Sequence, residues 1–181
     1  MIITICGKPG SGKSTLARYL AEKFHYRFVS IGDEARKLAK KMKISVLEMS
    51  KLAEKDEKID KKIDSIHLKF KHNKNVVMDS RVAFYFFPKS LKIFLNVSPE
   101  IAAQRILGAK RATEHTKNYR ETLKEVGERL LSEQRRYKKY YNVDIYSVKN
   151  YDIIIDTSNI SIDEMECLAE AAVQKFLGKL P

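Results

Sequence analysis

Short apolar runs rich in β-branched residues alternate along the chain with longer amphipathic stretches. Five of these runs are predicted to be strands: residues 1–6, 27–30, 75–79, 91–97 and 151–156. After the first run, the apolar residues Leu16, Leu20 and Phe24 recur at helical spacing, and residues 161–177 show a similar amphipathic pattern. Because strands that alternate with helices form a parallel sheet covered by helices, the pattern predicts a three-layer α/β fold with a five-stranded parallel sheet.

Two longer segments interrupt this alternation. Residues 32–74 are too many for an ordinary connection between strands, and the mixed charges of residues 54–64 are typical of a solvated helix face. We expect a helical insertion that covers one side of a site. Residues 105–149, which include Lys110 and Arg111, are expected to form a helical lid that is too polar for the core. The 181-residue chain is predicted to be one domain, whose core comprises residues 1–31, 75–104 and 150–181.

A glycine-rich sequence joins the first strand to the first helix. Residues 7–14, GKPGSGKS, fit G-x-x-x-x-G-K-[ST], the phosphate-binding P-loop. The glycines let the backbone approach an anion, which the N–H groups and the dipole of the following helix then bind. We expect Lys13 to reach the β- and γ-phosphates of ATP, and the Ser14 hydroxyl to ligate Mg²⁺. The predicted ATP-binding residues are Gly7, Lys8, Pro9, Gly10, Ser11, Gly12, Lys13, Ser14, Thr15 and Arg105.

Charged residues follow two other predicted strands at the sheet edge where the P-loop lies. Asp79 is the second candidate metal ligand, holding Mg²⁺ directly or through water, although an Asp there can also cap the next turn. Arg36 and Arg81 are candidate clamps for a second phosphate, although Arg36 could equally be a solvated helix residue. Two phosphate sites predict a kinase that acts on a phosphorylated acceptor, since a simple NTPase needs only one.

The composition narrows the class of partner. The formal net charge of +12, from 35 Lys and Arg against 23 Asp and Glu, favours an anionic partner, either nucleotides or nucleic acid. Cys6 and Cys167 lie far apart in sequence, as is typical of a reduced protein without disulfides. The four histidines lack metal-ligand spacing, and no apolar run is long enough for a membrane span. We therefore expect a cytoplasmic protein with no membrane partner.

Four features, taken in order, resemble the P-loop nucleoside monophosphate kinases. They are the P-loop, the pattern S-x-G-D-x-x-R from Ser30 to Arg36, the D-x-R of Asp79 and Arg81, and a basic lid. The most similar group is the cytidylate kinase family of the archaeal type. Further stretches that carry the similarity are residues 60–64, 87–88, 91–95, 135–145 and 151–158. The P-loop alone is shared by many families, but the ordered set is much more specific and covers nearly the whole chain.

This resemblance implies phosphoryl transfer from MgATP to CMP or dCMP, and we expect a monomer. The candidate acceptor-binding residues are Ser30, Asp33, Arg36, Asp60, Asp64 and Arg81. Of these, Asp60 or Asp64 would accept a hydrogen bond from the exocyclic amine of cytosine. The candidate catalytic residues are Lys13, Arg129, Arg135 and Arg136. Arg129 and either Arg135 or Arg136 would swing in with the lid and neutralise the transferring group.

The chain departs from the family pattern at three places. Ser80 stands where the family usually has Gly, residues 82–86 are bulkier and more aromatic, and Leu130 and Leu131 replace an acidic pair of the lid. These departures leave base specificity open, so AMP, UMP or a different small phosphorylated molecule are alternative acceptors. The alternative of another class is a nucleic-acid-binding P-loop NTPase, because residues 135–141 interleave Arg, Lys and Tyr like a stacking and phosphate-binding surface. In the kinase interpretation, these tyrosines pack on the body of the protein and no nucleic acid is bound.

Overall fold

A parallel sheet forms the centre of the protein. The computed structural model describes residues 1–109 and 118–178, so Lys110 and Arg111 of the predicted lid lie outside the described residues. The strands are β1 (Ile2–Gly7), β2 (Arg27–Ser30), β3 (Val76–Asp79), β4 (Leu91–Asn96) and β5 (Ile153–Asp156). They lie in the order β2-β3-β1-β4-β5, and every neighbouring pair is parallel. The α/β class and the five-stranded parallel sheet are therefore confirmed.

Eight α-helices lie in the described residues. They are α1 (Lys13–Lys23), α2 (Ile31–Lys41), α3 (Val46–Lys55), α4 (Glu57–Leu68), α5 (Ala83–Phe86), α6 (Pro99–Gly108), α7 (Tyr119–Tyr141) and α8 (Ile162–Leu177), and a 3₁₀ turn spans Val148–Asn150. Short polar side chains fix several helix starts: Ser45 and Ser161 form capping boxes with Glu48 and Glu164, and Ser98 caps α6. No helix within residues 1–109 and 118–178 is long and apolar enough to cross a membrane.

Predicted and observed element boundaries agree to within two residues. β1 extends to Gly7 because that residue pairs with Leu95 of β4. α1 begins at Lys13, directly after the left-handed residue Gly12. The P-loop therefore occupies the short turn between the first strand and the first helix, as the motif requires.

The core lies on both faces of the sheet. Successive strand side chains point to opposite faces, so Ile5 packs in one cluster with α1 and α8, while Cys6 packs in another with Tyr137 of α7. A third cluster joins Val29 and Met78 to the helices of the insertion. These three clusters hold α1, α7 and the insertion against the sheet, which places their ends around one edge of it.

The expectation that the lid segment is too polar for the core is wrong for α7. Val126 and Tyr137 are buried, and so are the polar residues Ser132, Glu133 and Arg136. A helix can bury polar groups when they are paired with one another, and the partners of these side chains lie on α3, α4 and the turn after β3. The helix therefore forms a fixed wall of the site in this structure.

Candidate active site

One cavity at the carboxyl edge of the sheet collects most of the predicted functional residues. Its volume is about 480 Å³, and its wall includes the P-loop, the starts of α1, α2 and α8, the turn after β3 and the inner face of α7. Because all five strands are parallel, their carboxyl ends meet at this edge, where ligands bind in open α/β sheets.

The P-loop is shaped by glycines whose backbone other residues rarely adopt. Gly10 and Gly12 have φ values of 74° and 87°. A Cβ on Gly10 would also lie 2.8 Å from the Cα of Ala102, because the loop passes directly over α6. Residues 9–15 line the cavity, and α1 begins within them, so the positive end of its dipole faces the cavity. This arrangement is suited to binding an anion.

Gly7 and Lys8, which were predicted to bind ATP, lie behind the cavity wall. Neither lines the cavity, and a Cβ on Gly7 would collide with the carbonyl of Leu95. The N–H of Lys8 donates to the same carbonyl at 3.1 Å. These two residues hold the loop against β4, which is a supporting position rather than a contact with the cavity.

Lys13 lies buried in the cavity wall. Its Nζ donates to the carbonyl of Lys8 at 2.5 Å and lies 3.5 Å from Oγ of Ser11. Burial, assisted by the nearby Arg81 guanidinium, holds the pKa of Lys13 well below its usual value. An anionic group in the cavity would offset this effect, because a nearby negative charge favours the protonated amine.

Oxygen atoms of two serines converge on the carboxylate of Asp79. The Ser14 hydroxyl donates to Oδ2 of Asp79 at 2.5 Å, and the Ser30 hydroxyl donates to the same atom at 3.4 Å. Oγ of Ser30 also accepts from the backbone N–H of Asp33 at 3.2 Å, which caps α2. Ser14 and Asp79 both line the cavity, whereas Ser30 and Asp33 do not. The two predicted metal ligands are therefore brought into contact.

A buried carboxylate that sequence reasoning missed joins two of the predicted arginines. Oε2 of Glu133 accepts from Nε of Arg81 at 2.6 Å and from the hydroxyl of Tyr146 at 2.9 Å. Oε1 accepts from Nε of Arg129 at 3.0 Å. Burial alone would raise the pKa of Glu133, but the guanidinium groups of Arg81 and Arg129 hold it well below its usual value. Glu133 is thus ionised and fixes both arginines in the cavity wall.

Arg36 takes the position predicted for a second phosphate clamp. It lines the cavity one turn into α2, and its Nη2 donates to Oδ1 of Asp33 at 2.5 Å. Asp33 also lies 3.6 Å from Nη2 of Arg18. The structure therefore favours a cavity-facing Arg36 over a solvated helix residue. The hydrogen bond to Asp33 orients the Arg36 side chain.

The acidic helix α4 is not simply a solvated face, because it buries two carboxylates. Oδ1 of Asp60 lies 3.0 Å from Nε of Arg136, and both side chains are almost fully buried. Oδ2 of Asp60 has no hydrogen-bond partner within the described part of the chain. Oδ2 of Asp64 accepts from the Tyr141 hydroxyl at 2.8 Å. Burial raises the pKa of Asp60 to about 7 and that of Asp64 to about 6.

Of the three candidate catalytic arginines Arg129, Arg135 and Arg136, Arg135 lies outside the cavity wall. Its Nε donates to Oε1 of Glu54 at 2.7 Å, and its side chain is 61% exposed. Arg129 and Arg136 line the cavity instead. Neighbouring residues on a helix point about 100° apart, so Arg135 and Arg136 cannot both face the site. In this structure Arg136 faces the cavity and Arg135 does not, and the catalytic role of either residue stays a prediction.

The basic and aromatic stretch at residues 135–141 does not present a stacking surface. Tyr137 is buried, and the hydroxyl of Tyr140 donates to the carbonyl of Glu54 at 2.8 Å. Tyr141 packs against Tyr85 with ring centroids 5.3 Å apart. The tyrosines therefore pack on the body of the protein, which removes the main support for the nucleic-acid alternative.

Arg105 is held at the cavity by a residue that the sequence analysis did not single out. Its guanidinium donates to Oγ1 and to the carbonyl of Thr157, at 3.0 Å and 2.6 Å. Oγ1 of Thr157 lies 3.2 Å from the carbonyl of Ser11, so Thr157 links Arg105 to the P-loop. The position of Thr157 directly after β5 is a signal that could have identified it, because the carboxyl end of every parallel strand points to the site.

Comparisons with known proteins find relatives that match nearly the whole chain. A family described as AAA domain matches residues 3–130. A cytidylate kinase of Sulfurisphaera tokodaii is 36% identical over 182 residues, which cover 99% of this chain and 98% of the relative. One from Methanothrix thermoacetophila is 42% identical over 157 residues, covering 87% of this chain and 88% of the relative. One from Methanocaldococcus jannaschii is 34% identical over 181 residues, covering 97% and 99%.

Solved structures share the fold at much lower sequence identity. A shikimate kinase from Bacteroides thetaiotaomicron has a TM-score of 0.66 and 16% identity, covering 98% of each chain. An uncharacterized protein from Eubacterium ventriosum has a TM-score of 0.70 and 17% identity, covering 96% of this chain and 98% of that one. These similarities show a P-loop kinase fold and say nothing further about the substrate.

Proposed function

The chain belongs to the cytidylate kinase family, and we propose that it transfers the terminal phosphoryl group of ATP to CMP or dCMP. One observation carries the proposal: a single cavity wall contains both the P-loop and the arginines Arg36, Arg81, Arg129 and Arg136. A site that only hydrolysed ATP would not need a second group of cations beside the P-loop. The relatives named cytidylate kinase favour a cytosine nucleotide over other phosphorylated acceptors.

On the donor side, the P-loop and Lys13 would bind the phosphates of ATP. Lys13 would exchange its bond to the carbonyl of Lys8 for bonds to the β- and γ-phosphates. Arg105 would contact the donor nucleotide, because it lines the cavity and Thr157 ties it to Ser11 of the loop. The donor nucleotide would thus be held by groups that are already in place, which lowers the entropy cost of reaching the reactive geometry.

The donor atoms beside the P-loop fit Mg²⁺. Mg²⁺ prefers oxygen ligands and commonly binds through one or two carboxylates together with phosphates and water. The Ser14 hydroxyl and the Asp79 carboxylate provide such oxygens in direct contact, at 2.5 Å. When bound there, Mg²⁺ would neutralise charge on the β- and γ-phosphate oxygens. We therefore propose Ser14 and Asp79 as the residues that hold it, directly or through water.

On the acceptor side, Arg36 and Arg81 would bind the phosphate of the nucleoside monophosphate. Glu133 engages Nε of Arg81, and this contact orients the terminal nitrogens of the guanidinium for a phosphate. Asp33 orients Arg36 in a similar way. Catalysis would then consist of positioning the acceptor oxygen in line with the γ-phosphate and stabilising the charge that develops.

Arg129 and Arg136 are the proposed groups that neutralise the transferring phosphoryl group. Both project from α7 into the cavity wall. Asp60 pairs with Arg136 but does not itself line the cavity. It is the proposed acceptor for the exocyclic amine of cytosine, because its buried Oδ2 is unpartnered among the described residues. Asp64 is less suited to this role, since its Oδ2 already accepts from Tyr141. As a wall of the cavity, α7 would help to keep water from the bound substrates and so suppress hydrolysis of ATP.

An acceptor panel tests the proposal. CMP, dCMP, UMP, AMP and GMP are compared as acceptors at one saturating concentration of MgATP, and nucleoside diphosphate formation is followed. We expect the highest kcat/KM with CMP or dCMP, and no turnover in Lys13→Ala. A preference for UMP or AMP would overturn the assignment of the base, and ATP hydrolysis without transfer to any acceptor would overturn the kinase assignment. We also propose that the protein is a cytoplasmic monomer that binds neither membranes nor nucleic acid.

A further inference from the structure

A buried histidine on the acceptor side is bonded at both ring nitrogens. His67 of α4 is fully buried; its Nδ1 lies 2.8 Å from the carbonyl of Asp64, and its Nε2 lies 2.7 Å from Oγ of Ser80. A carbonyl can only accept, so Nδ1 carries the proton and Nε2 of the neutral ring accepts from the Ser80 hydroxyl. Burial lowers the pKa of His67 to about 4, which agrees with a neutral ring.

Ser80 stands in the turn that carries Arg81. Its backbone N–H donates to the carbonyl of Ile5 at 3.1 Å, and its Oγ accepts from the N–H of Val82 at 3.3 Å. The Ser80 hydroxyl therefore bonds both to His67 and to the N–H of Val82. The residues before and after Arg81 are thus connected to His67 through this one hydroxyl. A glycine, which the family resemblance leads us to expect at this position, has no hydroxyl and could bond neither to His67 nor to the N–H of Val82.

The aromatic residues after Arg81 enclose this pair. Phe86 stacks on the His67 ring with centroids 4.5 Å apart and planes only 9° apart, and Phe87 lies 6.4 Å away. Tyr141 packs edge-on against Phe86 at 5.8 Å. These rings keep water away from the bond between His67 and Ser80, and a hydrogen bond is stronger in such an environment. Ser80 and Phe86, which belong to two separate departures from the family pattern, thus contact the same buried histidine ring.

The pair connects two parts of the cavity wall. Ile63, one turn before His67 on α4, lines the cavity, and so do Ser80 and Arg81. The His67–Ser80 bond therefore sets the separation between the α4 wall and the arginine proposed to hold the acceptor phosphate. An error of about 1 Å in such a separation can cost about a hundredfold in rate.

We propose that His67 and Ser80 are positioning residues for the acceptor: their hydrogen bond holds Arg81 at a fixed distance from α4. The pair does not touch the reacting atoms and acts through Arg81. This inference rests on the proposed function, because it concerns the acceptor half of the same site. It goes beyond that function by explaining what the serine in place of glycine does in this chain.

Steady-state kinetics of Ser80→Ala, Ser80→Gly, His67→Phe and the double variant Ser80→Ala/His67→Phe test the proposal. Phenylalanine keeps the stacked ring and removes both nitrogens. We expect the KM for CMP to rise about tenfold in each single variant, with the KM for ATP within twofold of wild type. Because both substitutions break the same bond, the double variant should be no worse than the worse single variant.

Ser90→Ala is the matched control. Ser90 is also buried, and its hydroxyl contacts Oγ1 of Thr4 at 3.1 Å and the carbonyl of Phe87 at 2.7 Å, outside the cavity wall. It should lower the melting temperature as Ser80→Ala does, with both KM values unchanged. If Ser80→Ala lowers the melting temperature but leaves the KM for CMP within twofold of wild type, the pair is only structural and the proposal fails. Wild-type protein that phosphorylates no nucleoside monophosphate would overturn the proposed function itself, which is a separate and earlier result.

Discussion

Glu133 accepts a hydrogen bond from Nε of Arg81 at 2.6 Å, in the interior of the protein and 52 residues away in sequence. The same carboxylate binds Arg129 through its other oxygen. It thus holds an arginine proposed to bind the acceptor phosphate beside one proposed to act on the transferring group. The relative placement of these two cations is set by one side chain of α7.

Replacement of this carboxylate should affect both activity and stability. In Glu133→Gln we expect kcat/KM for CMP to fall about a hundredfold, because Arg81 and Arg129 lose their common anchor. The free energy of unfolding should fall by about 3 kcal/mol, since a buried guanidinium loses its counter-charge. Urea denaturation and acceptor kinetics measure the two effects. The control is Glu128→Gln on the same helix, which breaks the exposed pairs with Lys51 and Lys124 and should cost less than about 1 kcal/mol. Unchanged acceptor kinetics in Glu133→Gln would exclude the anchoring role.

Replacement of Arg129 and replacement of Arg135 should have very different effects on kcat. Arg129 lines the cavity, so Arg129→Ala should lower kcat by about a thousandfold, the lower range for an arginine that stabilises phosphoryl transfer. Arg135 points to Glu54 on the surface, so Arg135→Ala should leave kcat within twofold of wild type. Single-turnover rates with saturating substrates provide the comparison. A large loss in Arg135→Ala would mean that α7 rotates or refolds when substrates bind.

The buried carboxylates of α4 should make stability depend on pH. Burial raises the pKa of Asp60 to about 7 and that of Asp64 to about 6, while both should be near about 4 in the unfolded chain. At a pH between the unfolded and folded pKa values, these two carboxyl groups keep their protons in the folded protein but have released them in the unfolded chain. The free energy of unfolding should therefore decrease as the pH rises from about 4 to 7, by at most about 1.4 kcal/mol per pH unit for each group.

Urea denaturation at pH 5 and pH 7.5 measures this decrease, and Asp60→Asn should make it smaller. The effect of Glu133 on the pH dependence of stability has the opposite sign. Its pKa is lowered in the folded protein, so the stability that it contributes is present above about pH 4.5 and is lost as the pH falls further. Its titration thus lies below the window that Asp60 and Asp64 control. An identical pH dependence in wild type and Asp60→Asn would show that Asp60 is ionised throughout.

Local sequence pattern was sufficient to predict the fold and the donor side of the site. The P-loop is encoded within residues 7–14, and its strand and helix are adjacent in the chain. Position at the ends of parallel strands was sufficient to bring Arg36, Arg81 and Asp79 to the same edge of the sheet. These features need no knowledge of how distant segments pack.

The lid helix could not be derived in the same way. Glu133 is one polar residue among many in α7, and its burial depends on Arg81, a partner from another part of the chain. Likewise, Arg135 and Arg136 are neighbours of the same type, and only the packing of α7 against α3 and α4 decides which of them faces the cavity. The spacing of Arg129 and Glu133 by one helical turn was the available signal for an internal pair.

The most direct test of the two-phosphate account is the kinetic effect of Arg81→Ala on each substrate separately. The account predicts that the KM for CMP rises at least tenfold while the KM for ATP stays within about threefold of wild type, because Arg81 serves only the acceptor phosphate. Circular dichroism and the melting temperature establish that the variant is folded. A folded Arg81→Ala variant with an unchanged KM for CMP, or with an equal rise in both KM values, would contradict the separate acceptor site.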